Sequence, residues 1–464
     1  MFYYIMCGIT ALISNNNYNI IYDLYESLYH LQHRGQDAFG LSFLNDNKLD
    51  IIKYKSLLSS IDINDELLKI NSNIGIGHVR YPTQGNNTIN ECQPFIKNTN
   101  IYNISLVHNG QIWINDKLLN YFKTNNIIID NDITSDSIYL LEYLSYNLNK
   151  HKQINYVILL DIINKLYNLF EGSYNCICMI EDYGLICFKD PLSIRPLILG
   201  KKDNNYIISS ESVSITSINY NIIEDILGNE LYIFRKNRMT KLNIKNLNIN
   251  IKPCIFEWVY LAREESIMYG VNVYNSRLKM GEYLAYKIHK LIDINDIDLV
   301  IPVPDTSKPL ALQVSRVLNK PYYEVITKNR YINRTFIMDT QNKRKKNIKR
   351  KLNVIKNKIE NKNLLIIDDS IVRGNTMKHI IELLKNNNAN KIFVASSCPE
   401  IINENVFGID IPDKKELICF SKNNKDLEEY LGINKIIFQD LNDLKKSIQY
   451  YNRNIKDFET SVFE

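Results

Sequence analysis

Leu364–Thr376 reads LLIIDDSIVRGNT, and the division of the whole chain follows from it. Leu364 to Ile367 form a continuous apolar run, the pattern of a strand buried on both faces of a parallel sheet. Asp368 and Asp369 follow at once, then a turn built from Ser370, Ile371, Val372, Arg373, Gly374, Asn375 and Thr376. Helical spacing resumes over Met377–Leu384. In an open α/β sheet, ligands sit beyond the carboxyl ends of strands and against helix N-termini, whose free N–H groups favour anions. Gly374 permits close backbone approach, and Thr376 offers a hydroxyl at the helix start. The paired carboxylates suit a ribose diol, a divalent metal, or both. Two adjacent aspartates alone would be an ordinary acidic turn; the full string is more specific.

Around this stretch strands and helices alternate. Arg277–Leu291 reads as an amphipathic helix with Leu284, Ile288 and Leu291 on one face. Asp298–Val303 reads as a buried strand running into Pro304-Asp305-Thr306-Ser307-Lys308, Asn319-Lys320-Pro321 as a turn, and Lys391–Ser396 as a further strand. The pattern is a parallel α/β domain. LLIIDDSIVRGNT resembles the phosphoribosyl-pyrophosphate (PRPP) loop of type I phosphoribosyltransferases, and IPVPDTSKP (301–309) resembles the pyrophosphate-side loop. The resemblance implies that Asp368 and Asp369 steer the ribose hydroxyls or one Mg²⁺ per subunit, with Thr306 at the metal. It implies that the 370–376 turn holds the 5-phosphate. KNRYINRTFIM (328–338) is similar to the loop that closes over bound PRPP, which makes Lys328, Arg330 and Arg334 phosphate contacts. The basic run Lys343–Lys351 reads as a solvated helix face that draws in phosphorylated substrates, rather than a nucleic-acid site.

At the other end, Cys7-Gly8-Ile9 lies in an apolar run, Ile5–Ile13, that reads as a first strand. Ile20, Ile21, Leu24, Leu28 and Leu31 have helical spacing, and Gly35 reads as the helix stop after His30-Leu31-Gln32-His33-Arg34. Gly77–Thr83 and Leu106–Gly110 each carry apolar residues into a polar, glycine-containing turn, so each reads as a strand delivering groups to one site. Thr134-Ser135-Asp136-Ser137 reads as a cap for a helix over Ile138–Leu148. In this order MCGI, LQHRGQD, GHVRYPT, HNG and TSDS resemble the glutaminase domain of N-terminal-nucleophile amidotransferases. The resemblance continues through Gly172-Ser173-Tyr174, Asp190–Leu197 and Ser210-Glu211-Ser212. It implies a mixed fold of two domains, α+β and α/β. The first is an αββα sandwich over 7–240; after a polar connecting stretch near 235–255, a phosphoribosyltransferase domain occupies 250–464. It also implies Cys7 as nucleophile, Asn109 and Gly110 as oxyanion hole, Arg80 for the glutamine α-carboxylate and Asp136 for its α-amine. His33 and His108 are then structural.

A leading cysteine has a chemical rationale. A thiol of pKa about 8.5 needs a base, and a terminal α-amine of pKa about 7.7–8.0 is substantially unprotonated near neutrality. This requires Cys7 to be residue one of the mature protein, either because translation starts at Met6 or because Met1–Met6 is cleaved as a leader.

The two halves in this order resemble the glutamine PRPP amidotransferase family. That implies glutamine hydrolysis to ammonia, and displacement of pyrophosphate from PRPP to give 5-phosphoribosylamine, the first step of purine synthesis. It further implies purine nucleotides as feedback inhibitors and a homo-oligomer, dimer or tetramer. Asn405 stands at one ligand position of the iron–sulfur cluster some relatives carry, and Glu459 and Val462 replace its C-x-x-C pair, so no cluster is expected. Among 464 residues the eight cysteines form no C-x-x-C pair, which fits a reducing cytoplasm. A net charge of +5 compels no nucleic-acid partner, and no apolar run is long enough for a membrane span. Two alternatives use the same residues: a non-catalytic PRPP- or nucleotide-sensing protein, and an ammonia-dependent enzyme whose glutaminase is inactive.

Overall fold

The structure is a computed structural model. It describes residues 7–464 apart from Asn17, 62–66, Leu68, 82–87, 130–132, Asn237, 245–249, 329–351, Val406, Gly408 and 410–412. Arg330, Arg334 and the Lys343–Lys351 run therefore lie outside the described residues, as does Met1–Met6.

Two antiparallel sheets face each other in the first half. One holds β1 (Gly8–Ile13), β2 (Ala38–Asn45), β3 (Lys48–Tyr54), β4 (Ile74–Arg80), β9 (Ile198–Lys202), β10 (Asn205–Ser209) and β11 (Asn221–Asp225), in the order β11-β9-β10-β1-β4-β2-β3. The other holds β5 (Phe95–Lys97), β6 (Ile104–Trp113), β7 (Glu171–Ile180), β8 (Gly184–Lys189), β12 (Glu230–Arg235) and β13 (Arg238–Asn243), in the order β13-β12-β8-β7-β6-β5. Alternation sets the layers. Ile9, Ala11 and Ile13 of β1 pack with Val107, Ile177 and Met179 of the opposite sheet, while Leu12 turns outward to the Ile21–His30 helix. That helix lies close to β4 because position 77 is glycine: a Cβ there would stand 2.5 Å from Leu28. The Ser137–Leu148 and Tyr156–Leu169 helices cover the second sheet through Leu141, Leu144, Ile163 and Leu166. The layers are αββα.

In the second half, two short pairs, β14 (Ile267–Met268) with β15 (Val271–Asn272) and β17 (Ile326–Lys328) with β18 (Leu352–Val354), accompany a parallel sheet of β16 (Leu299–Pro302), β19 (Leu364–Asp368), β20 (Ile392–Ser396) and β21 (Lys435–Phe438) in that order. Leu364 and Ile366 face the Asn375–Lys385 helix through Ile380, Ile381 and Leu384. Leu365 and Ile367 face the core that includes the Val273–Leu291 and Lys308–Leu318 helices. Burial on both faces explains the unbroken apolar run. The same core continues into Leu24, Leu28 and Trp258, so one apolar body joins the two halves.

Several local expectations are corrected. The Val273–Leu291 helix starts four residues before Arg277, where the Asn272 side chain accepts the Asn275 N–H, and Leu291 is 51% exposed. Part of the polar connector is strand: β13 pairs along β12 as an edge. The first helix ends at His30 in a turn capped by Leu31, and Gly35 instead allows contact with β4, where a Cβ would stand 2.4 Å from the Val79 carbonyl carbon. Among the described residues no helix is long and apolar enough to cross a membrane.

Candidate functional site

Cys7 sits at the entry to β1, half-buried, its Sγ 3.6 Å from the Tyr81 carbonyl oxygen. Burial pushes its thiol up to about 11; Tyr81 and Arg80 oppose the shift, while Asp136 and Asp37 add to it. Cys7, Arg80 and Asp136, distant in sequence, thus share one electrostatic neighbourhood. Arg80 ends β4 and is buried. Asp136 precedes the Ser137–Leu148 helix but makes no capping bond; its Oδ2 accepts the Ile112 N–H at 2.7 Å. The expected cap is therefore a helix start whose carboxylate faces β6.

Asn109 and Gly110 are not in a turn. They lie within β6, which continues to Trp113 in register with β7. Asn109 is buried, and its Nδ2 donates to Ser210 Oγ at 3.4 Å; that oxygen also accepts the Ile9 N–H at 3.0 Å, tying β6 to β1. Gly110 has φ +149°, and a Cβ would stand 2.0 Å from the Ser173 carbonyl oxygen, so glycine is required. His108 Nδ1 is 2.8 Å from Ser137 Oγ, and burial lowers its pKa against the pull of Asp136. His33 Nε2 is 2.6 Å from Glu211 Oε1.

The second cluster lies at the carboxyl ends of β16 and β19. Asp368 ends β19, and Asp369 follows; both are buried. Thr306 Oγ1 donates to Asp369, Ser370 Oγ donates to Asp369 Oδ1 at 2.7 Å, and Ser307 Oγ to Asp368 Oδ1 at 3.4 Å. Burial raises both carboxyls, Asp368 well above the usual range with Asp369 adding repulsion. Two buried carboxylates side by side, with a threonine hydroxyl beside them, are a hard-oxygen set suited to Mg²⁺, which takes few protein ligands and fills its shell with water and phosphate oxygens. Among the described residues no group of three or more His, Cys, Asp or Glu side chains forms a metal cage.

After this pair, Ile371 is buried, Val372 accepts the Ile418 N–H at 2.8 Å, and Arg373 Nε reaches Glu416 at 2.5 Å. Gly374, at φ +72°, turns the chain into the Asn375–Lys385 helix, whose first turn includes Thr376. Lys328 Nζ is 2.8 Å from Asp305 Oδ2, which brings it to the same loop as Thr306.

A cleft of about 690 Å³ opens between the halves, lined among others by His33, Arg263, Glu264, Arg277, Asp305 and Thr306. The sequence pattern gives Arg277 only as the start of a helix. It is buried, donates to the carbonyls of Trp258 (3.0 Å) and Ala262 (2.9 Å), and its charge bears on Asp369. Periodicity places Arg277 in an apolar slot, seven residues before Leu284, and a charged residue in that slot is the one signal the sequence offers. The joint beneath the cleft is charged: Arg34 meets Glu211 and Glu257 (2.6 Å), and Arg195 lies 3.6 Å from Glu257. Asn405 and Glu459, named for the cluster position, bond to each other at 3.2 Å.

A family model described as "Phosphoribosyl transferase domain" matches residues 272–425, and one described as "Glutamine amidotransferases class-II" matches residues 6–155. The chain is 40% identical to an amidophosphoribosyltransferase of Pasteurella multocida, over 99% of this chain and 92% of the relative. It is 38% identical to that of Escherichia coli over the same shares, and 37% identical to that of Schizosaccharomyces pombe over 99% and 89%. The solved glutamine PRPP amidotransferase from B. subtilis, complexed with ADP and GMP, superposes with a TM-score of 0.84 at 27% identity, covering 98% of this chain and 94% of that one. A structure described as the allosteric regulatory enzyme of purine biosynthesis gives 0.84 at 28% identity, covering 95% and 91%.

Proposed function

The chain belongs to the amidophosphoribosyltransferase family, and from that premise we propose that it runs two linked reactions with the residues gathered at its two clusters. Cys7 attacks the glutamine side-chain amide; the C–N bond breaks, ammonia leaves, and water hydrolyses the thioester to glutamate. Ammonia then attacks C1 of PRPP, the C1–O bond breaks, and pyrophosphate departs with its electron pair as the amine loses a proton. The product is 5-phosphoribosylamine, in the first step of purine biosynthesis.

A thiol pushed up to about 11 is almost wholly protonated at neutral pH, so the first reaction needs a base at hand. The α-amine of Cys7, as residue one of the mature chain, supplies it. Asn109 and Gly110 donate to the oxyanion, Arg80 pairs with the substrate carboxylate, and the Asp136 oxygen not engaged by Ile112 takes the α-amine. In the second half, Asp368 and Asp369 orient the ribose hydroxyls, and the 370–376 backbone with its helix N-terminus holds the 5-phosphate. Lys328, Arg330 and Arg334 contact the phosphates. Mg²⁺, held by Asp368, Asp369 and Thr306, would neutralise pyrophosphate charge. The domain division at 7–240 and 250–464, a cytoplasmic home, a homo-oligomer and inhibition by purine nucleotides belong to the same reading. The last is supported by the B. subtilis relative having been solved with ADP and GMP.

The observation that carries the reading is the gathering of Cys7, Arg80 and Asp136 in a chain that also sets Asp368 and Asp369 at the end of a parallel sheet. A PRPP sensor would have no use for the first cluster. The test pairs the mature N-terminus, read by intact mass, with steady-state assays using glutamine or ammonium salt. A chain beginning at Cys7 with both activities, and a Cys7→Ala variant with only the second, supports the proposal. Ammonia-dependent turnover alone, with Met1 retained, identifies an inactive glutaminase; neither activity with retained PRPP binding identifies a sensor.

A further inference from the structure

The strand carrying Asn109 and Gly110 is held from outside by a segment of the other half. The Phe407 carbonyl oxygen accepts two bonds from the first half, from Ser173 Oγ at 2.7 Å and Arg195 Nη2 at 2.5 Å. Its ring stacks on Trp113, the last residue of β6, with centroids 5.7 Å apart and planes at 25°. Ser173 pairs with Gln111 across β6 and β7, and its Oγ also accepts the Gln111 N–H at 3.2 Å. One buried hydroxyl therefore joins the Phe407 carbonyl to the residue after Gly110. Ser173 is also the residue whose carbonyl and hydroxyl would stand 2.0 and 3.0 Å from a Cβ at Gly110. Beyond Phe407, the buried Asn405 accepts the N–H groups of Phe407 (2.9 Å) and Ile409 (3.0 Å), and donates to Glu459 at 3.2 Å. Glu459 is itself anchored by its N–H to the Pro253 carbonyl at 3.0 Å.

We propose that Asn405 and Ser173 are positioning residues for glutamine hydrolysis. Asn405 holds the Phe407 and Ile409 N–H groups, the Phe407 carbonyl fixes Ser173, and Ser173 fixes the backbone of β6 at the oxyanion donors. The proposal rests on the amidotransferase reading. An oxyanion donor acts only where it is held, and a misplacement of about 1 Å costs about a hundredfold. Removing the Ser173 hydroxyl leaves the Phe407 carbonyl with Arg195 and takes a side-chain acceptor from the Gln111 N–H, which loosens β6 without dissolving the β6–β7 pairing.

The experiment compares full-length Ser173→Ala, Asn405→Ala and the double variant, each assayed with glutamine and with ammonium salt at saturating PRPP. The expected result for each single variant is a fall in glutamine-dependent kcat of about tenfold or more, with KM for glutamine and ammonia-dependent turnover unchanged. The double variant falls no further than the weaker single. Parallel loss of both activities, no loss in either, or additive losses in the double variant each overturn the proposal. If Ser173→Ala does not fold, Asn405→Ala carries the test alone through the same kcat-against-KM split. Absence of glutamine turnover in the wild type overturns the amidotransferase reading itself, and this proposal with it.

Discussion

Replacing Glu211 by Gln tests the charged joint between the halves. Glu211 is fully buried. Its Oε1 meets Arg34 Nε and, at 2.6 Å, His33 Nε2; its Oε2 accepts the Arg263 N–H at 3.0 Å and the Ser266 hydroxyl at 2.7 Å. Burial alone would raise this carboxyl, but Arg34 and then His33 outweigh burial and hold it well below the usual range. Glutamine keeps the volume, yet puts an NH₂ donor against groups that already donate. Breaking a buried pair by removing one charge costs about 3–5 kcal/mol. Arg34 keeps Glu257 at 2.6 Å, so the lower end, about 3 kcal/mol, is expected. The assay is urea unfolding followed by tryptophan fluorescence, since Trp258 adjoins Glu257 and Trp113 sits on β6. With a slope of about 3 kcal/mol/M, the midpoint should fall by about 1 M. Because the folded carboxyl is held low, its contribution is full above the unfolded value of about 4.3 and is lost as pH falls toward the folded one. The difference between wild type and variant should therefore narrow on acidification. A difference below about 1 kcal/mol at neutral pH, or one that does not change between pH 7 and pH 3.5, would refute the ion-pair account.

Two further substitutions separate the reaction centres. Gly110→Ala forces a Cβ against the Ser173 carbonyl, so glutamine-dependent kcat should fall about 10²–10³-fold while ammonia-dependent turnover is kept; steady-state kinetics with each nitrogen source check this. Asp368→Asn removes one of two adjacent buried carboxylates, the one raised by burial and by repulsion from Asp369. The unliganded variant should melt about 1 °C higher at neutral pH, the shift for about 1 kcal/mol in a chain of 464 residues, and lose PRPP turnover. Since a raised carboxyl weakens the fold as pH climbs through its titration, the gain should shrink toward pH 4; scanning calorimetry at both pH values decides it.

Sequence and structure agree best where chemistry and local pattern coincide. The apolar run from Leu364 begins β19 at that residue, and the acidic pair closes it, because a doubly covered parallel strand has no polar face to blur its ends. The Cys7, Arg80 and Asp136 cluster was legible only through a family resemblance: the three residues lie on separate elements and carry no mutual spacing. The strand through His108-Asn109-Gly110 runs on where the sequence pattern predicts a turn, because glycine is required here by the close Ser173 carbonyl on β7, a contact absent from any local window. The Phe407 clamp was out of reach for a different reason. Its working group is a backbone carbonyl, which every residue type carries.

The joint between the halves combines two kinds of interaction that do different work. The apolar core shared by Leu24, Leu28, Trp258 and Phe458 supplies attraction, but hydrophobic contact is non-directional and tolerates sliding. Arg34, Arg195, Glu211 and Glu257 are buried in that same joint, and each has partners at distances that only one docking register satisfies. Charges placed there cost desolvation that apolar residues of equal volume would avoid. What they add is register, and register is what the cleft requires: His33 enters it from the first half, Thr306 and Arg277 from the second. Glu211 is bonded to His33 on one side and to Arg263 and Ser266 on the other. A slip of the joint would thus open the cleft wall and break the buried pairs together.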